Sequence, residues 1–287
     1  MSSPLPFLHD VEAPAKLNLF LHVTGRRVDG YHLLQSVFML IDWCDTLHFD
    51  LRHDGEIRRE DLGSTLPPDD LIVRAATRLQ QASGCTLGAD IRVLKSIPAQ
   101  AGMGGGSSDA ASTLMALNRL WALNWPTERL LPIALTLGAD VPFFLCGHNA
   151  WVEGIGEKIT PIELPAARFA VLKPPAGLET ALIFRASQLQ RSTEPATMPS
   201  FAAAPFSFGR NDLQPVAATL CPEIKQAIDW FANFGIQARM TGSGSAVFAH
   251  LPQDVELGSP PVGWQLKVCS NLAAHPLAGW AGSDDSR

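Results

Sequence analysis

Apolar and polar or aromatic positions alternate along residues 17–23, LNLFLHV, so that Leu17, Leu19, Leu21 and Val23 share one side and Asn18, Phe20 and His22 the other. A period of two is the signature of a strand, here one with a single buried face. Continued backwards, the same period places Lys16 beside Asn18. Strand-like runs recur near 35–41, 46–51 and 90–96, with a helical stretch near 71–82 among them. From Ser107 the period changes: Ala110, Leu114, Leu117 and Trp121 are spaced four, three and four apart, which predicts a helix of about four turns. A second short helix is expected from Thr127, where Pro126 and Glu128 supply start signals.

Further along, helical segments at about 211–219 and 222–234 precede short strands at 236–240, 245–250 and 265–270. Strands and helices mix without regular βαβ spacing, which favours an α+β fold. Residues 186–207 are rich in Ser, Thr, Ala and Pro and read as a long surface loop. The tail GSDDSR, 282–287, is expected to be disordered.

Composition narrows the class. A chain of 287 residues that is 46% hydrophobic can bury a large core, and its length suits two domains of moderate size. Lys and Arg number 22 against 28 Asp and Glu, a formal net charge of −6, and no basic run is longer than a pair, which argues against nucleic acid as a partner. The cysteines, at 44, 85, 146, 221 and 269, have neither zinc-site nor disulfide-framework spacing and suit a reducing cytoplasm. The first residues carry acids and prolines where a signal peptide has a basic region and an apolar core. No apolar run approaches the roughly 18 residues of a transmembrane helix. No membrane partner is expected, and composition leaves monomer and homodimer both open.

The chemistry concentrates in IPAQAGMGGGSSDAAS, residues 97–112, where Gly102, Gly104, Gly105 and Gly106 lead directly into the predicted helix. Glycines let backbone N–H groups approach a ligand, and a helix start offers unpaired donors with a favourable dipole, so the segment is a candidate phosphate site. Ser107 and Ser108 add hydroxyls, and either could cap the helix. No lysine follows as a Walker A loop requires, Ser107 breaks the dinucleotide fingerprint, and the protein-kinase tripeptides HRD and DFG do not occur. A different nucleotide-binding family remains. A second glycine segment, TGSGS from Thr241, reads by itself as a hairpin turn. The single tyrosine, Tyr31, lies in DGYH between a glycine and a histidine, where a ring or hydroxyl has a specific use.

Four stretches in order, PAKLNLFL at 14–21, AGMGGGSSDAA at 101–111, LGADVPFF at 137–144 and TGSGSAVFA at 241–249, resemble the small-molecule kinase superfamily named after galactokinase, homoserine kinase, mevalonate kinase and phosphomevalonate kinase. DGYH and LGADVPFF narrow the resemblance to the branch whose acceptor is a cytidine diphosphate-linked methylerythritol, in non-mevalonate isoprenoid biosynthesis. The resemblance spans about residues 11–275 and implies two domains. Residues 1–165 would resemble domain 2 of ribosomal protein S5, with a left-handed βαβ element. Residues 166–287 would be ferredoxin-like and carry 186–207 as an inserted loop, with the active site between the two. It also implies ATP and Mg2+, and transfer of the γ-phosphoryl group to the acceptor's 2-hydroxyl.

Residue by residue, the resemblance makes Asp140 the base and Lys16 its catalytic partner, with Asn18 touching substrate. Gly102, Gly104, Gly105, Gly106, Ser107 and Ser108 would wrap the ATP phosphates. Tyr31 and Phe184 would flank the cytosine, and His32 would hydrogen-bond its edge. No metal ligand is placed by a motif beyond Ser107 or Ser108 and the phosphates. Asp70 stands where relatives often carry Asn near the adenine, and as an ionised group it accepts but does not donate. Three rival readings are a homoserine or mevalonate kinase, a nucleotide sensor without catalysis, and a dinucleotide oxidoreductase. DGYH with Phe184 argues against the first, the joint presence of Lys16 and Asp140 against the second, and the broken fingerprint against the third.

Overall fold

A computed structural model describes residues 4–252 and 255–281; the tail GSDDSR lies outside them. The first sheet is built on two long strands, β1 (Phe7–Arg26) and β2 (His32–Arg52), paired antiparallel along their length. On its other edge β2 pairs with β5 (Ala150–Gly154) through its first half and with β4 (Gly88–Leu94) through its second. Strand β3 (Ile57–Asp61) lies parallel to β4, and helix α1 (Leu71–Ser83) connects them, giving one βαβ unit. Strand β6 (Lys158–Pro161) closes the edge beyond β5. Helices α2 (Gly105–Leu120), α3 (Thr127–Leu137) and α4 (Val141–Cys146) join α1 on one face.

The second sheet has the antiparallel order β10-β7-β9-β8, from β7 (Arg168–Lys173), β8 (Ala238–Met240), β9 (Val247–Leu251) and β10 (Gln265–Ser270). Numbered within the sheet this is 4-1-3-2, the ferredoxin-like order, although no helix occurs among the described residues between β9 and β10. Between β7 and β8 run α5 (Thr180–Arg185), α6 (Met198–Ala202), α7 (Gln214–Leu220) and α8 (Glu223–Ala232).

Alternation along β2 shows how the layers stack. Phe38 and Leu40 face α1–α4, whereas Val37, Met39 and Ile41 face the second sheet with Phe169, Val171 and Phe248. The far side of that sheet packs on α7 and α8 through Leu172, Val247, Ile224 and Phe231. The order is helices, sheet, sheet, helices, the α+β arrangement expected. Stacking the two sheets corrects one expectation: residues 17–23 are buried on both faces, because Phe20 and His22 meet the second half of the chain where solvent was anticipated. The runs near 35–41 and 46–51 are a single strand.

Residues 186–207 differ from a plain surface loop. Phe201 in α6 and Leu189 are buried, and the segment is tied to the first sheet by Thr193 N donating to Val23 O (3.0 Å) and Ala196 N to Gln35 Oε1 (2.6 Å). Full burial of each such side chain contributes roughly 2 kcal/mol, which offsets part of the ordering entropy of a Pro- and Ser-rich stretch. The closing residues 271–281 return to the first body: Leu272 N donates to Leu40 O, and Leu277 enters the core beneath α2 and α3.

Candidate active site

A cleft of about 1260 Å³ opens between β1, the 97–107 loop, the glycine turn after β8, and α5. Lys16 and Asn18, two residues apart on β1, project into it from the same side, as their alternation requires. Lys16 Nζ donates to Asn18 Oδ1, lies 4.6 Å from the centre of the Phe38 ring, and is 3.6 Å from Asp140 Oδ2. Asn18 is held in turn by Nδ2 donating to Ser36 Oγ (3.0 Å) and by its backbone N donating to Thr241 Oγ1 (2.9 Å). Burial lowers the Lys16 pKa, while the Asp140 carboxylate works the other way and favours the ammonium. Asp140 precedes the first residue of α4 but does not cap the helix with its side chain, which stays 31% exposed towards the cleft. A lysine ammonium only 3% exposed can hold a hydroxyl oxygen while the cleft-facing carboxylate beside it accepts the proton.

The glycine loop answers two different demands. Gly102 (φ +72°) has no room for a Cβ, which would lie 2.2 Å from Thr241 O and 2.9 Å from Gly244 N. The two glycine segments therefore touch backbone to backbone, and Ser245 N and Ala246 N donate to Gln100 O and Ala101 O. TGSGS is thus a turn, as it reads, but one clamped on the first loop. Gly104 (φ +71°) is the residue before α2, and a Cβ there would meet the Phe144 ring at 2.9 Å. Gly104 displaces both serines as the N-cap, because only a residue at ease in the left-handed region fits that turn. Gly106 is different: a Cβ would meet only Leu71 Cδ1 at 3.7 Å, ordinary contact, so packing does not require glycine there. The backbone N–H groups of the first turn have no acceptor within the helix.

Gly102, Gly104, Gly105, Gly106 and Ser107 line the cleft. Ser108 does not: it is fully buried, its N donates to Gly104 O (2.9 Å), and its Oγ has no partner among the described residues. Behind the loop, Lys95 Nζ bridges the buried carboxylates of Asp45 and Asp109, and Asp45 Oδ1 accepts from Ser96 N (2.6 Å) and Ile97 N (2.8 Å). Burial is the main force on Asp109 and pushes its carboxyl well above the usual range. Burial works against the Lys95 charge, but the two carboxylates outweigh it and raise its pKa. The sequence does not show this cluster, because Asp45 and Lys95 belong to no motif and nothing in the glycine motif that contains Asp109 tells which groups its carboxylate meets. Ser36 stands in no motif either, and Thr241 is in one whose sequence does not reveal that its hydroxyl holds Asn18. Asp70 caps α1, accepting from Val73 N (3.1 Å), and pairs with Arg59 Nη1 at 2.7 Å, so its carboxylate is already committed.

At the other end, Phe184 of α5 lines the cleft and stacks on His32, ring centres 4.9 Å apart and tilted 30°. Arg191 Nε donates to His32 Nε2 at 3.0 Å. Tyr31 stands outside this group: it is 61% exposed in a turn where its N donates to Asp29 Oδ1 (3.3 Å) and its O accepts from Arg27 N (2.7 Å). The structure thus brings His32 to Phe184 and leaves Tyr31, beside His32 in sequence, in solvent. Among the described residues no group of three His, Cys, Asp or Glu side chains could hold a metal ion, and no helix is long and apolar enough to cross a membrane.

The two-sheet body and its glycine loop define a GHMP kinase, and residues 70–148 and 195–256 match the family models described as GHMP kinases N terminal domain and GHMP kinases C terminal. Among curated proteins, the chain is 65% identical over 277 residues to 4-diphosphocytidyl-2-C-methyl-D-erythritol kinase of Albidiferax ferrireducens, covering 96% of each. It is 66% identical to the protein of that name from Delftia acidovorans, over 95% of this chain and 97% of that one. A crystal structure of 4-(cytidine 5'-diphospho)-2C-methyl-D-erythritol kinase superposes with a TM-score of 0.76 at 31% identity, covering 91% of this chain and 98% of the other. Homoserine kinase from Cytophaga hutchinsonii shares the fold, with a TM-score of 0.68 at 16% identity. The chain belongs to the 4-diphosphocytidyl-2-C-methyl-D-erythritol kinase family.

Proposed function

We propose that this enzyme transfers the γ-phosphoryl group of ATP to the 2-hydroxyl of 4-diphosphocytidyl-2-C-methyl-D-erythritol, giving the 2-phosphate and ADP, in the cytoplasm. The observation that carries the mechanism is the Lys16–Asp140 pair, 3.6 Å apart on the cleft wall with the glycine loop beside it. Asp140 takes the proton as the acceptor oxygen attacks the γ-phosphorus and the bond to the bridging oxygen breaks. Lys16 holds the oxygen and balances its charge, and Asn18 fixes the lysine. General-base catalysis contributes roughly 10²–10⁴-fold, so most of the acceleration must come from positioning and charge. The free N–H groups that open α2, with Gly102, Gly104, Gly105, Gly106 and Ser107, hold the phosphates. Ser108 supports that turn from behind.

Mg2+ fits as an ion carried by the nucleotide. A hard cation that keeps water and phosphate ligands needs one or two protein oxygens, and the cleft-facing Ser107 hydroxyl supplies one. Bound there, it would neutralise phosphate charge. Tyr31, His32 and Phe184 receive the cytidine end, with Tyr31 closing on the base from the exposed turn. We place the division between the N-terminal unit, 1–165, and the C-terminal unit, 166–287, at the link between the two sheets. An acceptor panel tests the function: the protein with ATP should phosphorylate the cytidyl acceptor and leave mevalonate and homoserine untouched, and the opposite result would overturn it.

A further inference from the structure

Residues 186–207 have no role in the chemistry above, yet Arg191 within them contacts both His32 and Phe184, the latter on the cleft wall. Its guanidinium donates Nε–H to His32 Nε2 (3.0 Å), Nη1–H to Leu189 O (3.1 Å), and Nη2–H to Phe184 O (3.1 Å) and Ala186 O (2.7 Å). No carboxylate lies within ion-pair reach of Arg191 among the described residues. An arginine is a donor only, so the nitrogen it contacts on His32 must supply a lone pair. A neutral imidazole with its lone pair on Nε2 carries its proton on Nδ1.

We propose that Arg191 is a positioning residue that locks His32 in the Nδ1–H tautomer, so that the acceptor pocket presents a fixed hydrogen-bond donor. The inference rests on the reading that His32 and Phe184 receive the base. A donor at that point selects an acceptor edge. Cytosine offers the adjacent acceptors N3 and O2, whereas uracil replaces the first with N–H and is repelled there. The same guanidinium holds the Phe184 carbonyl, so one side chain sets both the stacking ring and the tautomer. The groups facing His32 are the Arg191 and Arg26 guanidiniums and the Phe184 ring; burial and both cations favour the neutral imidazole.

Two-bond 15N–1H spectra of the intact protein report the tautomer directly. Wild type should show Nδ1 protonated and Nε2 bare near neutral pH. In Arg191→Met the proton should redistribute towards Nε2, and KM for the cytidyl acceptor should rise about 10-fold, one hydrogen bond's worth, with KM for ATP unchanged. A wild-type Nε2–H tautomer, or an unchanged tautomer in Arg191→Met, overturns the proposal. Should that variant fail to fold, His32 variants decide: Asn, whose amide sits near Nδ1, should bind the acceptor better than Gln, whose amide sits near Nε2, and the reverse order overturns it. Titration with CMP separates the two ideas. An Nδ1–H signal that ignores CMP removes the base pocket, whereas CMP binding to an Nε2–H histidine removes the lock alone.

Discussion

The two ends of the cleft are built from different material. At the end where we propose that phosphate binds, the working parts are backbone: Gly102 and Gly104 let chains approach to distances no side chain permits. At the end where we propose that the acceptor binds, the parts are side chains from three separate segments, His32, Phe184 and Arg191, with Tyr31 in solvent. Phosphate is the same in every nucleotide, so a rigid backbone cradle suits it. A specific acceptor needs shape and hydrogen bonds that only side chains supply. The Lys16–Asp140 pair lines the same cleft, and in the function we propose it serves both ends.

The comparison breaks most severely at that pair. Asp140→Asn should lower turnover by about 10³-fold while ATP binding persists, read by single-turnover kinetics and calorimetry; unchanged turnover would remove Asp140 from its role. Gly102→Ala tests the backbone cradle. Its Cβ overlaps two backbone atoms at positive φ, so a loss of about 3 kcal/mol in stability and at least tenfold in ATP affinity is expected. The control is Gly84→Ala, where φ is +67° but nothing lies within 4 Å; about 1 kcal/mol should be lost and ATP affinity kept. Equal effects at the two glycines would mean that backbone strain, and not the contact between loops, governs the phosphate end.

Tyr31→Ala tests the side-chain end. Base stacking contributes roughly 1–3 kcal/mol, so KM for the acceptor should rise about tenfold with KM for ATP unchanged, and stability should move by no more than about 0.5 kcal/mol because the ring is exposed. Equal changes in both KM values would assign Tyr31 to folding. The smallest effect concerns the support of α2 by His275, whose Nδ1 accepts from Leu277 N (3.0 Å) and whose Nε2 lies 3.4 Å from Ser112 Oγ. Burial depresses the His275 pKa from 6.5 to about 3. The unfolded chain therefore takes up a proton that the folded one refuses, and stability falls as pH drops below 6.5, by about 1.4 kcal/mol at pH 5.5. Denaturation at several pH values should show this slope reduced in His275→Asn, and an identical slope would assign it to other groups.

Most long elements were legible because period and punctuation agree. Helix α2 is readable from Ala110, Leu114 and Leu117, and β1 from its leucines. The short elements α4, β5 and β7 are not readable because buried elements of five or six residues show no contrast between faces, and β6 and α5 are too short to show a period. The second buried face of β1 was invisible for a related reason: alternation reports polarity, and Phe20 satisfies either reading.

By its residues alone, the chain determined that Lys16 and Asn18 share a face and that glycines precede a helix, since both follow from backbone geometry within one segment. The family motifs added which residues should meet. Tertiary structure alone decided that Gly102 serves the second glycine turn, that Ser108 faces inward while Ser107 faces the cleft, and that Lys95 neutralises carboxylates 50 and 14 positions away. It also decided that Arg191 reaches His32 across 159 residues. Such contacts depend on how sheets stack and where loops return, and nothing in the local sequence of either partner records them.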